Sequence, residues 1–172
     1  MKNNLKIYIP ASKIKKKISL LAKKISNDYR GRKITAICVM KGAVVFYVHL
    51  MKDVKVPYEI GFIRVSSYGS NTVSSGKPKL ASKFDVGIKD KDVLIVEDII
   101  DTGRSLKFLV SEIKKRGARS VKIAVLCDKP SRRVVKVRAD YTGFKVPDKF
   151  LVGFGLDYDE EFRELPFIGE IK

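Results

Sequence analysis

The sequence predicts an α/β fold built on a mainly parallel, doubly wound sheet with helices on both faces. Three observations point there. Strand-like and helix-like segments alternate along the 172 residues. The strand candidates are near-continuous Val/Ile runs, the mark of strands covered on both faces. One of these runs ends in a carboxylate-rich turn that leads into an amphipathic helix, the arrangement found where open sheets bind ligands.

The elements follow in order. Ile14, Ile18, Leu21, Ala22 and Ile25 form one apolar stripe and predict a first helix over Ser12 to Tyr29, with Lys13, Lys15, Lys16 and Lys17 fitting its outer face. Lys33 to Val39 reads as a strand, and the apolar segment Ala43 to Met51 as a mostly buried helix. That helix holds the only histidine, His49, expected there as a packing or satisfied core residue. Tyr58 to Val65 is β-rich. Val93 to Val96 reads as a buried strand, and Leu106, Leu109, Val110 and Ile113 mark the helix that follows, with Gly117 as its stop. Val121 to Leu126 is another strand. Ala139 to Gly155 holds two short strand candidates divided by a Val146-Pro147-Asp148 turn, and with residues 1–11 the segment 139–172 is expected to form a hood over the ligand edge. The core is then about 12–138, and the whole chain, too short for two ordinary domains, is one domain over 1–172.

Residues 66–83 are the longest non-periodic stretch, and a long loop beside a ligand site predicts a lid. Within it, Gly69 to Pro78 is a near miss for a nucleotide-triphosphatase P-loop. Its glycines are too far apart, Pro78 replaces the metal-binding hydroxyl residue, and no periodic helix follows.

Composition narrows the function. There is no long apolar run to span a membrane, and Met1 to Pro10 lacks the features of a signal peptide, so a cytoplasmic protein is expected. Cys38 and Cys127 fall in strand-like segments and make neither a disulfide framework nor a zinc site. A single histidine argues against Ser-His and Cys-His nucleophile pairs, leaving carboxylate, lysine, tyrosine or water to move protons. The net charge of +17 favours anionic partners, a nucleic acid or a polyphosphate substrate among them; a lysine-rich solvated surface accounts for most of it.

The chemistry concentrates in Val93 to Leu106. Glu97 and Asp98 arrive together at the end of an apolar run, and Asp101-Thr102-Gly103-Arg104-Ser105 turns into the helix. Backbone N–H groups at that helix start, with the hydroxyls of Thr102 and Ser105, make a phosphate site. Carboxylates beside a phosphate site make sense when the ligand also carries ribose hydroxyls or a divalent cation. A sugar phosphate fits.

This segment resembles the phosphoribosyl-diphosphate signature of the type I phosphoribosyltransferases, and the wider chain is similar to their hypoxanthine-guanine branch. Val39 to Ala43 resembles that family's pyrophosphate loop, Ser67-Tyr68-Gly69 the start of its lid, Lys129 with Arg133 its purine-reading segment, Val146 to Tyr158 its base-stacking and metal segment, and Phe162-Arg163 its pyrophosphate arginine. The resemblance implies transfer of a phosphoribosyl group from phosphoribosyl diphosphate to N9 of hypoxanthine or guanine, giving IMP or GMP and pyrophosphate, with Mg²⁺ as cofactor and a homodimer or homotetramer as the assembly. It also implies the roles. Glu97 and Asp98 would bind ribose and Mg²⁺, with Asp157 as a further metal ligand. Asp101, Thr102, Gly103, Arg104 and Ser105 would hold the 5-phosphate, with Asp101 as general base at N7. Lys41, Gly42, Ser67, Tyr68 and Arg163 would bind pyrophosphate, an unusual cis peptide being common in the loop of Lys41 and Gly42. Lys129, Phe150, Leu151 and Asp157 would recognise the purine. A xanthine-guanine enzyme and a nucleic-acid-binding regulator on the same fold are the alternatives; the joint presence of Tyr68, Asp101, Lys129 and Asp157 favours an enzyme.

Overall fold

The computed structural model describes residues 5–67 and 78–171. Its main sheet contains β2 (Ile34–Met40), β3 (Tyr58–Ser67), β4 (Pro78–Leu80), β5 (Asp92–Ile100), β6 (Ser120–Asp128) and β7 (Tyr141–Lys145), in the order β4-β3-β2-β5-β6-β7. Every pairing is parallel except that of β4 on β3. Ile37 sits level with Gly61 on one side and Ile95 on the other, and Ile95 in turn faces Ile123.

The continuous apolar runs are explained by two cores. Successive side chains in a strand point to opposite faces. Ala36, Cys38, Leu94, Val96, Ala124 and Leu126 therefore enter one core, and Ile37, Val39, Val93, Ile95, Ile123 and Val125 the other. The first core is roofed by α1 (Ala11–Asp28) and α2 (Val44–Met51), and the second by α3 (Arg104–Lys115). The expected stripe of α1 is fully buried: Ile14, Ile18, Leu21, Ala22 and Ile25. On α3, Leu106, Leu109 and Ile113 are buried while Val110 is half-buried at the edge of the same core. Each such side chain contributes about 1.5–3 kcal/mol on leaving water.

A second, antiparallel sheet of β1 (Leu5–Ile9), β8 (Leu151–Val152) and β9 (Ile168–Ile171) runs in the order β1-β9-β8. Both cysteines are buried and free, and the Cys38 thiol is pushed up to about 12 by burial.

Three expectations are corrected. The segment 141–145 does not belong to the hood but is the edge strand of the main sheet, parallel to β6. Tyr141 is buried, and Gly143 lies so close to the Leu126 carbonyl that an added Cβ would stand 2.4 Å from it. The core therefore runs past residue 138. The stretch 66–83 is not structureless throughout, since 78–80 pairs with β3 and Ala81 N–H donates to the Arg64 carbonyl. The rest of the expected lid, 68–77 with Tyr68, lies outside the described residues. Lastly, α2 is buried on one side only. Phe46, Tyr47, Leu50 and Met51 are inside, whereas Val48 and His49 are exposed. The His49 ring rests 5.1 Å from that of Phe154, and partial desolvation lowers its pKa.

Candidate active site

The strand order reverses between β2 and β5: the chain leaves β2 toward β3 on one side and returns to pair β5 on the other. Such a switch point opens a crevice at the carboxyl ends of the two strands. Pairing of β2 with β5 stops at Cys38↔Val96, so Glu97 and Asp98 stand where the strands part.

The two carboxylates are half-buried, heavily desolvated and mutually close. Asp98 N–H donates to Glu97 Oε1 at 3.2 Å, and Ile99 N–H donates to Asp98 Oδ1 at 2.6 Å. Burial, and then the neighbouring Asp98 charge, holds the Glu97 carboxyl well above the usual range; burial also raises Asp98, against the pull of its hydrogen bonds and Arg163. A pair in this condition calls for a proton, a cation or hydroxyl donors.

Opposite stands the β2–α2 loop, where the Met40–Lys41 peptide is cis. Gly42 is required by close approach: a Cβ there would lie 1.7 Å from Asp98 Oδ2. Gly155 presses on the same loop, its own virtual Cβ 2.1 Å from the Gly42 carbonyl, and the Gly155 carbonyl accepts a 2.8 Å hydrogen bond from Arg163 Nη1. Asp98, Gly42, Gly155 and Arg163 thus form one stack from the core to the hood.

At the β5–α3 turn Gly103 is the left-handed residue before the helix, at φ +82. A side chain there would be strained and would meet Val137 Cγ1 at 2.5 Å. The Thr102 carbonyl accepts from Val134 N–H, and Arg133 donates to the Asp101 carbonyl at 2.6 Å while pairing with Asp128. The Asp101 side chain is held by Arg132 Nε at 3.1 Å. Ser105 is half-buried in the first turn of α3, and Arg104 is exposed beside it, its N–H 3.4 Å from Thr102 Oγ1.

Lys129 follows β6 directly, its N–H donating to the Ile100 carbonyl. Its side chain is only 11% exposed, with Nζ 3.9 Å from Asp148, so it is not one of the solvated lysines. Phe150 is 52% exposed and meets Tyr158 edge-on at 5.3 Å, so it is not a core aromatic; Leu151 behind it is buried. Across the crevice Lys41 Nζ lies 3.0 Å from both Glu160 carboxylate oxygens, and Arg163 Nη2 lies 2.9 Å from Asp157 Oδ1 and 3.4 Å from Glu160. Ser67 ends β3, and Tyr68 is outside the described residues.

The three expected metal ligands do not converge. Among the described residues no group of three or more His, Cys, Asp or Glu side chains forms a metal cage, and Asp157 is turned toward Arg163 and the Glu160 N–H. Sequence reasoning gave no role to Arg132, Asp148 or Glu160, whose partners Asp101, Lys129 and Lys41 are distant in the chain.

Residues 6–159 match the family described as the phosphoribosyl transferase domain. A hypoxanthine-guanine phosphoribosyltransferase of Streptococcus thermophilus is 47% identical over 97% of this chain and 93% of its own length. Among solved structures, a hypoxanthine phosphoribosyltransferase of Staphylococcus aureus superposes with a TM-score of 0.95 at 37% identity, covering 100% of this chain and 94% of that one. A hypoxanthine-guanine phosphoribosyltransferase of Bacillus anthracis gives 0.92 at 41% identity, covering 97% and 98%.

Proposed function

The chain belongs to the phosphoribosyltransferase family, and from that premise we propose that it is a purine-salvage enzyme, transferring the phosphoribosyl group of phosphoribosyl diphosphate to N9 of hypoxanthine or guanine. The observation that carries this reading is the switch-point stack in which Asp98 abuts Gly42 and Gly42 abuts Gly155, whose carbonyl Arg163 binds, with the Asp101–Ser105 turn following Glu97 and Asp98 directly in the chain.

In the reaction the C1–oxygen bond to diphosphate breaks, the C1–N9 bond forms, and the purine loses the proton on N7. Glu97 and Asp98 accept hydrogen bonds from the ribose hydroxyls. The turn from Asp101 to Ser105 holds the 5-phosphate through N–H groups and hydroxyls at the start of α3. Asp101 takes the N7 proton, for which it must first leave Arg132. Lys41 and Arg163 offset the charge gathering on the leaving diphosphate.

Mg²⁺ fits the acids present. Two desolvated carboxylates with raised proton affinity suit a hard cation, and oxygen ligands are what Mg²⁺ prefers. Glu97 and Asp98 would hold it, and Asp157 would help. When bound, the ion supplies charge neutralisation for the leaving group.

The base is read by Phe150, stacked on its ring, and by Lys129, whose ammonium can only donate; it pairs with the O6 of a 6-oxopurine and not with adenine's amino group. Backbone groups near Leu151 and Asp157 read the 2-position. The same proposal includes a cytoplasmic location and a homodimer or homotetramer. The exposed Val48, Ile60 and Phe62, on α2 and the adjoining β3, favour self-association. A panel of hypoxanthine, guanine, xanthine, adenine, uracil and orotate, each assayed with phosphoribosyl diphosphate and Mg²⁺, tests the reading. Hypoxanthine and guanine should lead; adenine turning over at a comparable kcat/KM would remove Lys129 from base selection.

A further inference from the structure

We propose that Glu160 is a displaceable counter-anion: it neutralises the Lys41–Arg163 pair until a diphosphate takes its place, and it helps expel pyrophosphate afterwards. The proposal rests on Lys41 and Arg163 being the diphosphate cations.

The geometry is that of a ligand stand-in. Both carboxylate oxygens of Glu160 lie 3.0 Å from Lys41 Nζ, and one of them lies 3.4 Å from Arg163 Nη2. One carboxylate thus bridges a cation of the core loop and a cation of the hood, as a diphosphate would. Its backbone is set for the task. Asp157 Oδ2 accepts the Glu160 N–H at 3.0 Å, while Asp157 Oδ1 pairs with Arg163. Asp159 and Glu160 sit at φ +50 and +65, a left-handed conformation that side-chain-bearing residues rarely adopt twice in succession. Asp157 therefore fixes the turn, and Glu160 is the arm it presents.

The arm is made to let go. Glu160 is 63% exposed and Lys41 48% exposed, and ion pairs so open to water are individually weak. Their strength against small anions comes from tethering, which gives the carboxylate a high effective concentration at the cations. A free monoanion carries the same charge without the tether and loses this competition. A diphosphate carries several charges, engages both cations together and wins it. Glu160 thereby sets a charge threshold on what may occupy the site, and by rebinding Lys41 it speeds pyrophosphate departure.

The test is Glu160→Gln, equal in size and without charge, compared with Lys41→Gln and the double variant. Pyrophosphate binding is measured by calorimetry, sulfate inhibition and steady-state kinetics by assay. Glu160→Gln should tighten pyrophosphate roughly 3–10-fold, lower the KM for phosphoribosyl diphosphate by a similar factor, and bring sulfate inhibition to lower concentrations, with the KM for hypoxanthine unmoved. Lys41→Gln should weaken pyrophosphate, and in the double variant most of the Glu160→Gln gain should vanish. Glu160→Asp, with its charge on a shorter arm, should tighten pyrophosphate by less and serves if glutamine disturbs folding. If Lys41→Gln leaves pyrophosphate binding unchanged, the underlying assignment of the cations fails. If Lys41→Gln weakens it while Glu160→Gln leaves it equal or weaker, the diphosphate site stands and the counter-anion role is overturned.

Discussion

Asp101 is held 3.1 Å from Arg132, so the residue assigned to proton transfer is engaged elsewhere until the purine arrives. Asp101→Asn keeps the shape and removes the base; kcat should fall roughly 10²–10⁴-fold with the protein still folded, as steady-state assays and circular dichroism would show. Near-normal turnover would take Asp101 out of the mechanism. Gly42→Ala tests the close approach to Asp98. Its methyl would coincide with Asp98 Oδ2, and a displacement of about an ångström at a substrate-positioning acid costs on the order of 10²-fold in kcat/KM. At this scale the sequence spoke through types rather than places. Lys129 was one lysine in a lysine-rich chain and Phe150 could have been core; only the fold shows one largely covered beside Asp148 and the other open beside Tyr158. Glu160 and Arg132 were silent because a charge pair across a long stretch of chain leaves no local pattern.

At the scale of elements, β5 carries an acid at each end with opposite electrostatics. At its start Asp92 is 1% exposed and satisfied by Arg119, Ser120 and Arg32. The Arg119 hydrogen bonds, with Ser120 and nearby charge, hold its carboxyl below the usual range. A depressed folded value means the stabilisation is present above the unfolded carboxylate range and is lost as pH falls through the folded value. Asp92→Asn should therefore cost about 1.5–3 kcal/mol near neutrality, and its deficit against the parent should shrink in acid, readable from urea melts across pH. At its other end Glu97 and Asp98 are raised by burial. The sign reverses: the fold favours the protonated pair at low pH, and that contribution is lost as pH rises through the raised values. Binding phosphoribosyl diphosphate with Mg²⁺ at pH values where the pair still carries a proton should release it, so the calorimetric heat there should scale with the ionisation enthalpy of the buffer. Equal heats in phosphate-free buffers of different ionisation enthalpy would contradict the assignment. Helical stripes and buried strands were legible because periodicity is local. The place of 141–145 was not, since five residues with one buried tyrosine suit either sheet, and the choice is made by Gly143 against the Leu126 carbonyl.

At the scale of the molecule, function follows from topology. The β4-β3-β2-β5-β6-β7 order puts its one reversal between β2, which leads into Lys41, and β5, which carries Glu97 and Asp98, and the connection from β8 to β9 brings Asp157, Glu160 and Arg163 beside Lys41. Doubly wound architecture was legible from alternating apolar segments; the partnership of β1 with β8 and β9 was not, because pairing between chain ends has no signature in either end alone. The net charge of +17 suits polyphosphate substrates without requiring a nucleic acid partner. The most direct test of the whole account is phosphorus NMR of the purified protein with hypoxanthine, phosphoribosyl diphosphate and Mg²⁺. Inosine monophosphate and pyrophosphate should rise together in equal amounts as phosphoribosyl diphosphate disappears. Phosphoribosyl diphosphate left intact, or hydrolysed with no nucleotide formed, would contradict it.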